Sequence, residues 1–175
     1  LNDESGKMSK SKGDFLTVSL LEKKGYDPMA YRLFCLQSHY RKNLVFTWEN
    51  LDNAVVAYNK LVAKIATMKN DGDVDQEAFN KLKDRFVGAL NGDLNTSVAV
   101  TAVYDVLKAK TNGATKLAAL ADFDRVLSLN LLEAAEVIRK KEAEEAAASA
   151  DPEIDALVAA RTAAKKAKNF AILNL

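Results

Sequence analysis

The sequence contains very few of the side chains from which disulfides and metal sites are built. Its 175 residues include one cysteine, Cys35, and one histidine, His39. A single cysteine excludes an internal disulfide and fits a reducing compartment, so we expect a cytoplasmic protein. One cysteine and one histidine are also too few for a Cys/His zinc site. We therefore expect this chain to bind no metal ion.

Long hydrophobic runs and a strong net charge are also absent. No apolar run approaches the roughly 18 residues of a membrane span, so we expect no membrane partner. The 25 basic and 24 acidic residues leave a formal net charge of +1, which predicts no strong overall attraction to nucleic acid. Any contact with RNA must therefore come from local basic patches.

Strand patterns are missing, whereas helical periodicity recurs through the chain. Apolar residues three and four positions apart predict one buried face in the segment 47–68; they are Leu51, Val55, Tyr58, Val62 and Ile65. Caps and turns predict further helices over 17–24, from Asp27–Pro28 onward, 75–90, from Asn95 or Thr96 to Lys108, 116–127, 131–148 and from Asp151–Pro152 onward. The pattern predicts an all-α helical bundle without a parallel nucleotide-binding sheet.

The lone cysteine and histidine both fall near the end of one predicted helix. Cys35 follows Phe34 on or beside the apolar face of that helix, which favours a buried small hydrophobe over a nucleophile. No histidine is placed to activate the thiol. His39 precedes Tyr40 and Arg41 at the helix end, and we expect it to be structural.

A basic loop near the start of the chain is its most chemically distinctive feature. Residues 7–12 contain three lysines and two serines, with Gly6 and Gly13 on either side. Ammonium and hydroxyl groups can hydrogen-bond phosphate oxygens, although such runs are commonly solvated segments without a ligand. The loop is not a Walker motif. Leu1 stands where that motif requires glycine, and Met8 stands where it requires Ser or Thr after the lysine.

The order of residues in this loop carries a family resemblance. Residues 7–11 read Lys-Met-Ser-Lys-Ser, which resembles the mobile nucleotide-activating KMSKS loop of class I aminoacyl-tRNA synthetases. Later segments are similar to the cysteinyl-tRNA synthetase family in the same order; these segments are 25–34, 39–41, 46–51, 93–96 and 154–170. The loop indicates a class I aminoacyl-tRNA synthetase, and the later segments indicate which family within that class.

The resemblance implies a domain organisation. It divides the chain into the KMSKS loop (1–14), a segment that contacts the tRNA stem (15–47), a helical bundle of the anticodon-binding type (48–149) and a truncated C-terminal helix (151–175). That helix would lead toward an anticodon-reading tail. We expect the chain to be a C-terminal fragment, with a catalytic domain and its zinc site lying before it.

The resemblance also implies site residues and partners. Lys10, with Lys7 in support, would act on ATP; Ser9 and Ser11 would belong to the ATP site and shape the loop. Contacts with tRNA would come from Arg41 and from a basic helix face formed by Arg161, Lys165 and Lys168, which by composition alone is a solvated face. The implied partners are tRNA(Cys), cysteine and ATP with Mg²⁺, and the expected state is a monomer.

Three alternatives stay open at this point. A mycothiol-pathway cysteine ligase has a similar core and loop but forms an amide without tRNA. The loop alone also fits methionyl and other class I synthetases. If the chain were instead a non-catalytic helical interaction module, the match of its loop to the KMSKS motif would be a coincidence. If the protein is a ligase of any of these kinds, we expect this chain alone to be inactive, because the adenine, cysteine and zinc sites would lie outside it.

Overall fold

The computed structural model describes residues 17–148 and the backbone of residues 2–3 and 6–7. Two short strands, β1 (Asn2–Asp3) and β2 (Gly6–Lys7), pair antiparallel with Asn2 opposite Lys7. Seven helices make up most of the described part; they are α1 (Val18–Lys23), α2 (Pro28–Leu36), α3 (Trp48–Ala66), α4 (Gln76–Asn91), α5 (Thr96–Lys108), α6 (Gly113–Leu127) and α7 (Leu131–Ala148). The all-α prediction is confirmed.

A polar side chain caps the start of each helix from α1 to α6. In every case the side-chain oxygen accepts a hydrogen bond from a backbone N–H in the first turn, which stabilises a helix N-terminus; the caps are Thr17, Asp27, Thr47, Asp75, Asn95 and Asn112. The predicted starts at Thr17, Asp27, Thr47, Asp75 and Asn95 are therefore confirmed.

Two helix boundaries differ from the sequence prediction. Helix α6 begins at Gly113, three residues before the predicted Lys116, because the Asn112 side chain accepts from the backbone N–H of Thr115 at 2.9 Å and caps the earlier turn. Helix α3 ends at Ala66 rather than near Met68, and Thr67 closes it by donating from its hydroxyl to the Lys64 carbonyl.

The main core lies among helices α2 to α7. The stripe predicted on α3 is confirmed: Tyr58, Val62 and Ile65 are buried in this core and Val55 packs against it. Helices α4, α5 and α6 pack on one another, and α5 also contacts α2 and α3. The rings of Phe86 and Phe123 stack at a centroid distance of 4.2 Å between α4 and α6.

A smaller core joins α1, α2 and the start of α3. It contains Leu21, Phe34, Phe46, Leu51 and Ala54. Tyr26, Tyr31, Cys35 and Leu44 pack around its edge. This second cluster fixes the segment between α2 and α3, in which Tyr40 and Arg41 lie.

The turn between α6 and α7 is held by three side chains. The Asp124 carboxylate accepts from the backbone N–H groups of Leu129 and Leu131, at 2.7 and 2.8 Å. The Tyr58 hydroxyl donates to the Leu129 carbonyl at 2.8 Å, and Arg32 Nε donates to the Leu127 carbonyl. This turn therefore connects helices α2, α3 and α6 to the start of α7.

The chain divides into two units, residues 1–138 and residues 139–175. In the second unit the described residues continue α7 to Ala148, with Lys141 Nζ 3.8 Å from Glu145 Oε1. None of the helices formed by residues 17–148 is long and apolar enough to cross a membrane.

Candidate nucleic-acid interface

The described residues include few of the predicted site residues. Lys7 is described only through its backbone, which pairs with Asn2. Ser9, Lys10 and Ser11 lie outside the described residues, as do Arg161, Lys165 and Lys168. Arg41 is the predicted site residue whose side chain lies within the described part of the chain.

Arg41 belongs to a polar cluster with Tyr40, His39 and Asp93. Arg41 Nε lies 2.9 Å from Asp93 Oδ2, and Arg41 Nη2 donates to Asp93 Oδ1 at 3.0 Å. The Tyr40 hydroxyl donates to the same Oδ1 at 2.6 Å and accepts from Arg41 Nε at 3.0 Å. His39 Nε2 lies 3.7 Å from Asp93 Oδ2, and the His39 ring stacks on Tyr40 at 4.8 Å.

The turn between α4 and α5 presents the Asp93 carboxylate to this segment. Asp93 and Leu94 both have positive φ, 66° and 50°, a conformation that asparagine and aspartate adopt more readily than most residues. Hydrogen bonds from Leu94 N to the Leu90 carbonyl and from Asn95 N to the Ala89 carbonyl close the turn. Asp93 thus links α4 and α5 to the segment that follows α2.

The pairing with Asp93 limits what Arg41 can do. A guanidinium group has five N–H donors, and the contacts with Asp93 and Tyr40 engage Nε and one hydrogen of Nη2. Three N–H donors are left to face solvent, and the side chain is 68% exposed. Arg41 is therefore a fixed and partly neutralised cation, with donors left for one further acceptor such as a phosphate oxygen.

An aromatic surface lies beside the smaller core. Trp48 is 40% exposed, and its ring stacks on Tyr26 at 5.6 Å. Lys24 Nζ lies 5.0 Å from the Trp48 ring centroid, within cation–π range. The Tyr26 hydroxyl donates to Asp52 Oδ1 at 2.7 Å, and this hydrogen bond, with some burial, raises the pKa of Tyr26.

The structure gives Cys35 and His39 no catalytic arrangement. Burial raises the pKa of the Cys35 thiol, which keeps it protonated and unreactive at neutral pH. The contacts of His39 are to Tyr40, Asp93 and the backbone N–H of Arg41, as a structural role requires. Among residues 17–147 no group of three or more His, Cys, Asp or Glu side chains could hold a metal ion.

Sequence reasoning did not identify the role of Asp93. It lies in the predicted turn after Asn91–Gly92, and turns commonly contain aspartate for local reasons. Its partner Arg41 is 52 residues away, and no local pattern predicts such a pair. The only available signal was that both residues fall in segments similar to one synthetase family.

The sequence is similar to curated cysteine–tRNA ligases. It is 44% identical to the one from Novosphingobium aromaticivorans over 98% of this chain and 36% of that protein. It is 40% identical to cysteine–tRNA ligase 1 of Burkholderia lata over 75% of this chain and 27% of that protein. For the ligase of Synechococcus sp. strain CC9605, identity is 36% over 94% of this chain and 40% of that protein.

No protein-family model matches the chain. The chain spans between about a quarter and two fifths of the length of these curated relatives.

Proposed function

The chain belongs by sequence to the cysteine–tRNA ligase family, and we propose that it is the part of such a ligase that contributes the KMSKS loop and a tRNA-supporting helical domain. The observation that carries the proposal is the identity to curated ligases over nearly the whole chain. The Lys-Met-Ser-Lys-Ser order at residues 7–11 adds a loop of the type that acts on ATP. The whole protein would join cysteine to tRNA(Cys) in the cytoplasm.

The reaction would proceed in two steps. The cysteine carboxylate attacks the α-phosphate of ATP, forming cysteinyl-adenylate and releasing pyrophosphate. The terminal ribose hydroxyl of tRNA(Cys) then takes the cysteinyl group and AMP leaves. Mg²⁺ bound with ATP would help neutralise the phosphates; neither Mg²⁺ nor zinc is assigned to a residue of this chain.

In this chain, the lysines of the loop would supply positive charge to the first step. Negative charge moves onto the leaving pyrophosphate, and a preplaced cation stabilises that change more in the transition state than in the ground state. Lysine suits this task because it is a compact cation on a flexible stem. We assign that role to Lys10, supported by Lys7, with Ser9 and Ser11 shaping the loop.

The helical part would position the tRNA. Arg41 is exposed and held in one orientation by Asp93 and Tyr40, so it meets an RNA phosphate without first being ordered. We assign Arg161, Lys165 and Lys168 to the same partner from their sequence spacing alone. The segment 15–47 would contact the tRNA stem, and the bundle 48–149 would support it.

The test of the overall function is aminoacylation by the full-length protein. We expect labelled cysteine to be esterified to a tRNA(Cys) transcript, with neither methionine nor serine replacing it. Formation of a cysteine amide with a small amine and no charging of tRNA would support the mycothiol-type alternative and contradict this proposal. Absence of any ATP-dependent cysteine chemistry would favour a non-catalytic helical module.

The role of Lys10 is tested by comparing two lysines of the same loop. In the full-length protein, Lys10→Ala should slow cysteine-dependent pyrophosphate exchange about a hundredfold or more, as loss of one preorganised transition-state contact does. Lys12→Ala is the matched control, because Lys12 follows the five-residue motif, and it should have little effect. An exchange rate for Lys10→Ala close to that of the control would contradict the assignment.

A further inference from the structure

A basic groove lies between helices α3 and α5, away from the Arg41 cluster. It is a cavity of about 190 Å³ lined by Lys60, Leu61, Lys64, Tyr104, Leu107 and Lys108. We name this set of six residues the lysine groove. Three of its members carry ammonium groups and none carries a carboxylate.

The positive charge of the lysine groove is not neutralised by its surroundings in the described structure. No ion pair joins Lys60, Lys64 or Lys108 to another residue within 17–147. Lys116 adds a fourth ammonium group beside the groove, where its Nζ donates to the Leu107 carbonyl at 3.2 Å. Three other lysines of the described chain are paired with carboxylates: Lys81 with Glu77, Lys83 with Asp122 and Lys141 with Glu145.

Helix ends explain only part of this arrangement. Lys64 and Lys108 lie in the last turns of α3 and α5, where cations interact favourably with the helix dipole. Lys60 lies further inside α3 and gains little from the dipole. The position of all three around a single cavity is therefore not accounted for by helix capping.

Tyr104 provides a neutral donor in the same groove. Its side chain is half-buried, and its hydroxyl forms no hydrogen bond with another residue of the described chain. Burial raises the pKa of Tyr104, so the phenol stays protonated at neutral pH and can donate a hydrogen bond. Leu61 and Leu107 give the groove an apolar floor.

We propose that the lysine groove binds the sugar-phosphate backbone of the tRNA, as a contact separate from the loop and from the Arg41 cluster. This proposal rests on the proposed function for the identity of the RNA. Lysines are point charges that bind phosphates without requiring one fixed geometry, and a half-buried tyrosine can add a hydrogen bond to a phosphate or ribose oxygen.

An acidic protein is a poorer occupant of the same groove. The cores of protein interfaces are apolar and depleted of charged residues. Here only two leucines and one tyrosine ring provide apolar surface, and lysines make up half of the lining. The composition matches the polar, positively charged character of nucleic-acid interfaces.

The experiment measures tRNA(Cys) affinity of the full-length protein as a function of salt. The test variant changes Lys60, Lys64 and Lys108 to Gln. The control variant changes Lys81, Lys83 and Lys141 to Gln, so each variant loses three positive charges, and thermal unfolding checks that both stay folded. We expect the test variant to bind about tenfold to hundredfold more weakly near physiological salt, with a salt slope lower by about two to three.

Each outcome decides the proposal. An equal, small loss in both variants would overturn it, because only net charge would then matter. Binding of polyglutamate that depends on the three groove lysines, without a matching dependence for tRNA(Cys), would also overturn it in favour of an acidic protein. If the wild-type protein fails to aminoacylate tRNA(Cys) but its RNA affinity depends on the groove lysines, the proposed function fails while an RNA-binding groove stands.

Discussion

The Asp124 carboxylate joins helices α6 and α7 by accepting two hydrogen bonds. The donors are the backbone N–H groups of Leu129 and Leu131, at 2.7 and 2.8 Å. The turn they hold contains Ser128 and Asn130 in the left-handed region, with φ of 51° and 53°. Non-glycine residues rarely adopt this conformation, so the turn depends on the contacts that stabilise it.

Removing this carboxylate should destabilise the protein. Asp124→Ala leaves two partly buried N–H groups without an acceptor, and we expect a loss of about 2–4 kcal/mol in the free energy of unfolding. Asp84→Ala is the control, since Asp84 is exposed on α4, and surface changes of this kind alter stability by about 0.5 kcal/mol or less. Urea unfolding measures both; equal midpoints would contradict the role of Asp124.

A second prediction at this scale concerns Tyr58. Its hydroxyl donates to the Leu129 carbonyl, and burial, with the nearby charges of Asp27, Asp124 and Glu133, raises its pKa to about 12. An unfolded tyrosine has a pKa near 10. Between these values the folded state keeps a proton that the unfolded state has lost, so this contribution to stability is complete below about pH 10 and falls as the pH rises toward 12.

Tyr58→Phe separates the hydrogen bond from the titration. At pH 7 the variant should lose about 1–3 kcal/mol, because the Leu129 carbonyl loses its donor. Between pH 10 and 12 its stability should fall less steeply than that of the wild type, although Tyr31, whose pKa burial also raises to about 12, still contributes. Denaturant titrations at several alkaline pH values measure this, and parallel pH profiles would contradict the prediction.

At the scale of elements, the loop between α3 and α4 is fixed against the start of α6. Asp71 Oδ1 accepts from Gly113 N at 2.7 Å, and the Asn112 side chain donates to the Asp73 carbonyl at 2.6 Å. Thr115 is fully buried, and its hydroxyl accepts from Asp75 N at 2.8 Å. The close approach at Gly113 leaves no room for a side chain.

Two glycines give a matched test of this contact. A Cβ at Gly113 would overlap the Lys69 carbonyl oxygen and lie 2.7 Å from Asp71 Oδ1, so Gly113→Ala should cost about 3 kcal/mol or more. A Cβ at Gly88, within α4, meets nothing within 4 Å, and Gly88→Ala should stabilise by about 0.5–1 kcal/mol. Thermal unfolding midpoints should shift in opposite directions. Equal shifts would mean that the loop moves freely away from α6.

The same elements mark the limit of what the sequence predicts. Helix starts at Thr17, Asp27, Thr47, Asp75 and Asn95 were predicted, because an N-cap acts on residues two or three positions away. The contacts of Asp71 with Gly113 and of Arg41 with Asp93 span 42 and 52 residues, and no local sequence pattern predicts them. The lysine groove was missed for the same reason, since Lys108 lies 44 residues after Lys64 and 48 residues after Lys60.

For the candidate site, the sequence was informative where a motif is contiguous. The order of residues 7–11 is the basis of the proposed KMSKS loop, which stays a prediction, whereas the environment of Arg41 required the fold. The assignments of Lys10, Arg161, Lys165 and Lys168 stay predictions, since these residues lie outside the described part of the chain. The domain boundaries at residues 14, 47 and 150 also stay predictions.

At the scale of the whole molecule, charge limits how tightly this chain can bind RNA by itself. The formal net charge is +1, and Arg41, Lys81, Lys83 and Lys141 are already paired with carboxylates. Each phosphate neutralised by a protein cation contributes about one unit to the salt slope of binding. The lysine groove and Arg41 offer about four such contacts, and the proposed face of Arg161, Lys165 and Lys168 adds at most three more, so this chain reaches only the lower end of a range of about six to ten contacts.

We therefore expect this chain alone to bind tRNA(Cys) weakly at near-physiological salt, with a dissociation constant above about 1 µM and a salt slope of about three to six. The full-length protein should bind much more tightly, because further contacts add to the same equilibrium. A filter-binding titration of the two proteins against one transcript measures this difference, with the groove triple variant of each as control. Submicromolar binding by this chain alone, unchanged in its triple variant, would contradict this expectation and would show that the lysine groove is not its main RNA-binding surface.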